Sequence, residues 1–431
     1  MDRDGLTVVP EAAPTVAAPA GKSGRNGFRA LRSVPFRWYF GGQIASASGT
    51  FVQQTAIGWL VLQLTGSASA LGLVLAVGGL PSLLFGPWGG SVADRFDLRR
   101  LLIVTQAIYG VLALALWIAA VSGHAGVPLV IAISVAGGVV GIVDSPARQA
   151  FVSSLVPPDD LASAVSLNGV VMNSARVVGP ALAGVLIVAV GITPCFLVNA
   201  VSYLAVIAAL LLIRPLGGPR RARAKATGVA DAIRYARTRQ QVWLPLTMMS
   251  LVGLLAFNFS VVLPVLAEQT FHGDGGTYGL LSTMLSVGSI AGSLGVGLVK
   301  HPRRQYLIVT ALAFGAGLAA TAAAPNPATA TVTLLITGAA GFAFTTLAST
   351  TIQLHTAPEY RGRIVALWVF VYIGTTPIGS VITGWLSGLG GPRLALLAGA
   401  ASCVAAALIA LRVKTPPHID DTLLDLAPGR S

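Results

Sequence analysis

The chain has 431 residues, 54% of them hydrophobic and only 10% charged, with 50 glycines, a formal net charge of +13 and a mean hydropathy of +0.78. A soluble domain carries about 25% charged residues, so the charge here is too sparse to cover a globular surface; soluble, disordered, collagen-like and disulfide-scaffold classes are excluded. The chain belongs in a bilayer.

Residues 1–36 are polar and rich in Pro, Ala and Gly, lack the apolar centre of a cleavable signal peptide, and read as a flexible cytoplasmic tail. Charge-free runs then set the spans, because a hydrocarbon core about 30 Å thick takes about 20 apolar residues per helix. Residues 38–93 and 101–143 each hold two such helices, and 161–213, interrupted only by Arg176, hold two more. After Arg239, the runs 240–267, 275–299, 305–358, 364–392 and 394–411 supply six. The expected fold is an all-α polytopic membrane protein with 12 transmembrane helices in two six-helix bundles. The N-terminal bundle occupies 37–213, a basic linker 214–240, the C-terminal bundle 241–414 and a second cytoplasmic tail 415–431.

Lys and Arg are retained on the cytoplasmic side of bacterial membranes, and 26 of the 28 basic residues fall in the tails, the linker or every second loop. Both termini and the linker are therefore expected in the cytoplasm of a bacterial cell, with the protein in the cytoplasmic membrane. Topology thus accounts for the basic charge without a nucleic-acid partner. The cluster Arg220, Arg221, Arg223 and Lys225 is expected against anionic lipid headgroups. Cys195 and Cys403 lie in apolar runs and imply neither a disulfide framework nor a metal site.

A shift of 200 residues brings Pro158, Asp159, Val165, Leu167, Gly179, Gly184 and Leu186 onto Pro358, Glu359, Val365, Leu367, Gly379, Gly384 and Leu386. Helices 4 and 5 thus recur as helices 10 and 11, which predicts pseudo-symmetric halves with a binding site between them. Glycines spaced by four, Gly86 with Gly90, Gly137 with Gly141 and Gly288 with Gly292, predict close helix packing.

The loop after helix 2 reads Gly89-Gly-Ser-Val-Ala-Asp94-Arg95-Phe-Asp-Leu-Arg99-Arg100. Gly90, Asp94, Arg95, Arg99 and Arg100 resemble the signature of the major facilitator superfamily at this place, while Asp97 and Leu98 depart from it. The resemblance implies a conformational latch, in which Asp94 meets the N-terminus of helix 11 when the cavity opens outward. An acid there is attracted by the helix dipole; the other reading is a solvated charge that only fixes topology.

In helix 5, Arg176-Val-Val-Gly179-Pro180-Ala-Leu-Ala-Gly184 resembles the antiporter motif of exporters in that superfamily, with Ala175 in place of its opening glycine. Asp144-Ser-Pro-Ala-Arg148, Leu155-Val-Pro157, Asn168, Asn173, Ala175-Arg176 and Asn199-Ala-Val-Ser202-Tyr203 are similar to the enterobactin-exporter-like branch, also called transmembrane secretion effectors. The resemblance implies a monomeric secondary transporter that exports a siderophore-like or drug-like small molecule, with a proton gradient and no bound cofactor. Import of a metabolite, or a non-transporting sensor, is the alternative.

Intramembrane charges are costly and mark function. Asp144 is expected to pair with Arg148 or Arg176, as a proton-responsive carboxylate or as a permanent structural pair. Gln53, Gln54, Asn173, Asn258, Trp368 and Tyr372 are the candidate cavity residues. The lack of an unpaired acid favours an anionic or neutral amphipathic solute. No zinc motif and no pair of intramembrane acids is present, so an enzyme is excluded.

Overall fold

The structure is a computed structural model that describes residues 28–213, 229–299 and 302–413. The remainders of both tails, the basic cluster of residues 220–225 and Lys300 lie outside the described residues. Apolar runs with no water to bond them must pair their own backbone, and helices α1 to α13 result. The first half comprises α1 (Val34–Thr65), α2 (Ala68–Ala93), α3 (Leu98–Val121), α4 (Val127–Ser153), α5 (Leu161–Val190) and α6 (Thr193–Leu212). A short α7 (Val229–Thr238) lies in the linker. The second half comprises α8 (Gln240–Leu255), α9 (Phe259–Val265), α10 (Gly275–Val296), α11 (Arg304–Ala323), α12 (Pro327–Leu354) and α13 (Pro358–Arg412).

Local sequence sets the ends. The side chains of Ser67, Asp97, Asp274 and Asn326 accept a backbone N–H of the first turn of α2, α3, α10 and α12. Proline, which lacks an N–H that would go unpaired anyway, opens α12 and α13. Gly66 and Gly191 end α1 and α5 at φ 59° and 90°, a conformation side chains resist.

Among the described residues, ten helices or helix runs are long and apolar enough to cross a membrane. α13, 55 residues long, is two of the expected crossings. Its backbone leaves helical geometry at Gly390 and Gly391, just before Pro392. The count of twelve then rests on α1, whose 32 residues are diluted by Gln, Ser, Thr and Gly. Helix 7 is not continuous: α8 stops at Leu255, α9 restarts at Phe259, and a π-helical turn over Leu266–Thr270 ends it. Asn258 makes the break tolerable, its Nδ2 donating to the Leu254 carbonyl at 2.8 Å.

In the first half α1 packs on α5 and α6, α2 on α4, and α3 on α4 and α6; in the second, α10 packs on α12, α11 on α12 and α13, and α8 on α13. The halves meet through α2 with α13 and α5 with α10. Gly288 and Gly292 admit the α12 backbone as expected, whereas nothing lies within 4 Å of the Cβ position of Gly86 or Gly90.

The repeat appears as matched contacts. Gly179 lies against Phe51 of α1, and its counterpart Gly379 against Asn258 in helix 7. Gly184 lies against Gly279 of α10, and its counterpart Gly384 against Gly72 of α2.

Composition predicts a flexible tail through residue 36, but residues 29–36 are packed. Ala30 and Phe36 are buried, Arg29 pairs with Asp160 at 3.1 Å, and Ser33 Oγ donates to the Leu155 carbonyl at 2.6 Å. Apolar side chains that cover the bundle's end fix this stretch. α7 is likewise docked: the Tyr235 ring stacks on Tyr360 at 4.1 Å, and its hydroxyl accepts the Ala357 N–H at 3.0 Å.

A candidate transport site between the two halves

On the four interface helices the glycines divide by position. Near the end opposite the basic loops the backbones touch. A Cβ on Gly279 would lie 2.7 Å from the Gly184 Cα, one on Gly384 3.1 Å from the Gly72 Cα, and Ser69 Oγ donates to the Gly384 carbonyl at 3.2 Å. Trp59 of α1 stacks on Tyr278 of α10 beside this seal, at 6.2 Å between ring centroids. Toward the basic loops, Gly86 and Gly90 of α2, Gly169 of α5, Gly295 of α10 and Gly362 of α13 have nothing within 4 Å of their Cβ positions. Among these glycines, the contacts between the halves lie at the end opposite the basic loops.

Behind the seal is a cavity of about 460 Å³ lined from both halves. α1 supplies Phe51, Gln54 and Thr55, α5 supplies Arg176 and Pro180, and α10 supplies Ser282, Ser286 and Ser289. Phe257, Phe342 and Tyr372 form an aromatic wall from the second half. Pro180 is buried within α5, and the adjacent Gly179 lets Phe51 approach that helix. Among the described residues, Arg176 is the one charged residue of the lining. Its guanidinium carbon sits 5.9 Å from the Phe51 ring centroid and 5.4 Å from that of Phe342, and it makes no ion pair among the described residues.

Asp144 stands in a separate cluster within the first half. It is buried, with Arg148 NH2 2.6 Å from Oδ2 and Gln106 Nε2 donating to Oδ1 at 2.8 Å. Thr105 Oγ1 is 2.7 Å from Oδ1, and Arg148 NH1 donates to Gln43 Oε1 at 2.6 Å. The i,i+4 spacing on α4 makes the ion pair, and α3 and α1 complete the hydrogen bonding. Arg176 takes no part in it.

The remaining candidates disperse. Gln54 and Tyr372 line the cavity. Gln53 accepts the Asn199 amide at 2.8 Å, a tie between α1 and α6. Asn173 is exposed on α5, Asn258 caps the break in helix 7, and Trp368 is buried in a stack with Tyr372. In the loop after α2, Asp94 and Arg95 are exposed, and Asp94 has no side-chain partner among the described residues. Arg99 donates to the Leu210 and Leu211 carbonyls at the end of α6, at 2.6 and 2.7 Å, while Asp97 caps α3 through the Arg100 N–H. Phe51, Phe342 and the three α10 serines were not legible as site residues, since apolar and hydroxyl side chains are everywhere in such helices.

The family model described as transmembrane secretion effector matches residues 25–427. The chain belongs to this family of the major facilitator superfamily. Its members are membrane transporters, not enzymes, and they act on small molecules. The staphyloferrin A transporter of Staphylococcus aureus is 27% identical over 272 residues, 60% of this chain and 66%, just under two thirds, of that protein. The multidrug efflux pump Tap of Mycobacterium tuberculosis is 27% identical over 406 residues, 89% of this chain and 93% of Tap. Macrolide efflux protein A of Streptococcus pyogenes is 23% identical over 364 residues, 81% of this chain and 88% of that protein.

Among solved structures, the nucleoside transporter NupG gives a TM-score of 0.71 at 11% identity, covering 88% of this chain and 100% of NupG. A bacterial homologue of the human lysosomal transporter Spinster, inward-facing and occupied, gives 0.70 at 14% identity, covering 90% and 100%. These likenesses show the major facilitator fold.

Proposed function

We propose that the chain is a secondary exporter of a small amphipathic molecule, working as a monomer by alternating access in the bacterial cytoplasmic membrane. The carrying observation is the division of the interface glycines into a closed end and an open end with a two-sided cavity between them. With both termini and the basic loops in the cytoplasm, this is the inward-open state, poised to load from inside. The named efflux pumps and the siderophore transporter among the relatives support export of a drug-like or siderophore-like solute. A lining without a carboxylate favours an anionic or neutral one.

Rocking would open the Gly184–Gly279 and Gly72–Gly384 seal and bring the basic ends together. Asp94, exposed now, would then meet the start of α13 and latch that state through the helix dipole, with Arg99 holding the loop to α6. The proton gradient would act through Asp144. Protonation removes the charge that holds Arg148, and the freed guanidinium shifts the balance between the two states. Gly179, Pro180 and Gly184 would shape α5 so that its far end closes and its near end stays free.

The test is energised export. Inside-out vesicles from cells producing the chain should accumulate a macrolide or a siderophore when a pH gradient is imposed, and stop when it is collapsed. Uptake by right-side-out cells instead would make the chain an importer, and no movement in either would leave a sensor.

A further inference from the structure

Arg176 is a charge in the membrane that makes no ion pair among the described residues. The carboxylate expected beside it, Asp144, is fully engaged elsewhere with Arg148, Gln106 and Thr105. Two aromatic rings face the guanidinium, Phe51 from the first half and Phe342 from the second, and among the described residues its N–H groups, at the cavity, have no hydrogen-bond acceptor. A guanidinium so placed is a five-donor fork that suits a planar carboxylate. An uncompensated intramembrane cation is expensive unless an anion visits it.

Three hydroxyls of the same lining, those of Thr55, Ser286 and Ser289, have the opposite polarity. Thr55 donates to the Phe51 carbonyl at 2.9 Å, Ser286 to that of Ser282 at 2.8 Å, and Ser289 to that of Leu285 at 2.7 Å. A hydroxyl has one hydrogen, so each is left with only lone pairs to offer a solute. The cavity therefore presents a donor fork and, at these three positions, acceptors. We propose that Arg176 is an anion subsite and that the solute is a hydroxylated organic anion, its carboxylate on Arg176, its flat body along the phenylalanines and its O–H groups toward Ser286 and Ser289. This narrows the solute class of the export reading above and rests on it.

The probes are 3,4-dihydroxybenzoate, its uncharged amide 3,4-dihydroxybenzamide, and benzoate, titrated calorimetrically at pH 7 into the purified full chain in detergent. The wild type should bind the acid at least about tenfold tighter than the amide, the difference a charge-assisted pair confers. Arg176→Gln should abolish that preference and Arg176→Lys keep part of it. Ser286→Ala with Ser289→Ala should erase the advantage of the dihydroxy acid over benzoate while leaving the acid–amide gap. Equal binding of acid and amide by the wild type, no binding of the acid at millimolar concentration, or an undiminished preference in Arg176→Gln would overturn the assignment. The wild-type comparison needs no variant to fold. Following the same compounds in energised vesicles separates the two readings: acid-selective binding without movement defeats export alone, and export of acid and amide alike, indifferent to Arg176→Gln, defeats the subsite alone.

Discussion

Gly184 and Gly279 bring α5 and α10 so close that a single methyl on Gly279 would lie 2.7 Å from the opposing Cα. Their pseudo-symmetric equivalents, Gly384 and Gly72, do the same between α13 and α2. The two pairs form one seal, and each stands where a side chain cannot.

Gly279→Leu should wedge this seal. Overpacking a tight contact costs about 1–3 kcal/mol, enough to shift a two-state balance about 5- to 150-fold. Each half keeps its own core, so the protein should insert and purify normally, but transport should fall by about tenfold or more. A thiol reagent from the side opposite the basic loops should then reach a cysteine at Ser282. Unchanged transport and protection would show that the glycines are only packing.

Asp94→Asn should leave the thermal stability of the purified protein unaltered, because the Asp94 side chain has no partner in this state. It should nevertheless slow transport several-fold, since a charge at a helix N-terminus contributes about 0.3–1 kcal/mol, and up to about 2 when partly buried. Vesicle transport and differential scanning fluorimetry check the two halves of this expectation; wild-type transport rates would remove the latch.

Asp144→Asn should separate coupling from movement. Exchange of labelled for unlabelled solute should persist, whereas accumulation driven by a pH gradient should disappear. Asn keeps an acceptor for Gln106 but leaves the Arg148 charge unpaired, so some stability is lost as well. Gradient-driven accumulation at the wild-type level would make the Asp144–Arg148 pair a structural one.

Asp274, outside the spans, accepts the Thr277 N–H at 2.9 Å, and that bond holds its carboxyl below the usual Asp value. A depressed folded-state pKa means the cap stabilises α10 at pH above the unfolded value and is lost as pH falls through the folded one. Asp274→Ala should therefore lower stability by about 0.5–2 kcal/mol at pH 7, and the gap to wild type should close in strong acid. Thermal melts across pH give the answer; a gap independent of pH would contradict the cap.

Much of the fold was legible because lipid forbids unpaired backbone, so charge-free runs of sufficient length are helices. The Asp144–Arg148 pair was legible from its i,i+4 spacing. The repeat could be read in helices 5 and 11, where one offset relates Gly179 and Gly184 to Gly379 and Gly384. It was hidden in helices 1, 2, 7 and 8, whose matching contacts Phe51 with Asn258 and Gly72 with Gly279 fall at a larger offset. The break at Asn258 was hidden as well, since hydropathy does not register a backbone bond replaced by a side chain. Arg176 could be read as an intramembrane charge, but the choice between it and Arg148 as the partner of Asp144 stayed open, because its surroundings are phenylalanines with no polar signature.

The most direct measurement is a pair of spin-label distances on one molecule. Labels at exposed Thr65 and Leu389 span the sealed end, and labels at exposed Ser91 and Arg361 span the open one; buried Cys195 and Cys403 do not compete for label. On imposing a pH gradient with transported solute present, the Thr65–Leu389 distance should lengthen while the Ser91–Arg361 distance shortens. Two fixed distances, or both ends opening together, would contradict alternating access.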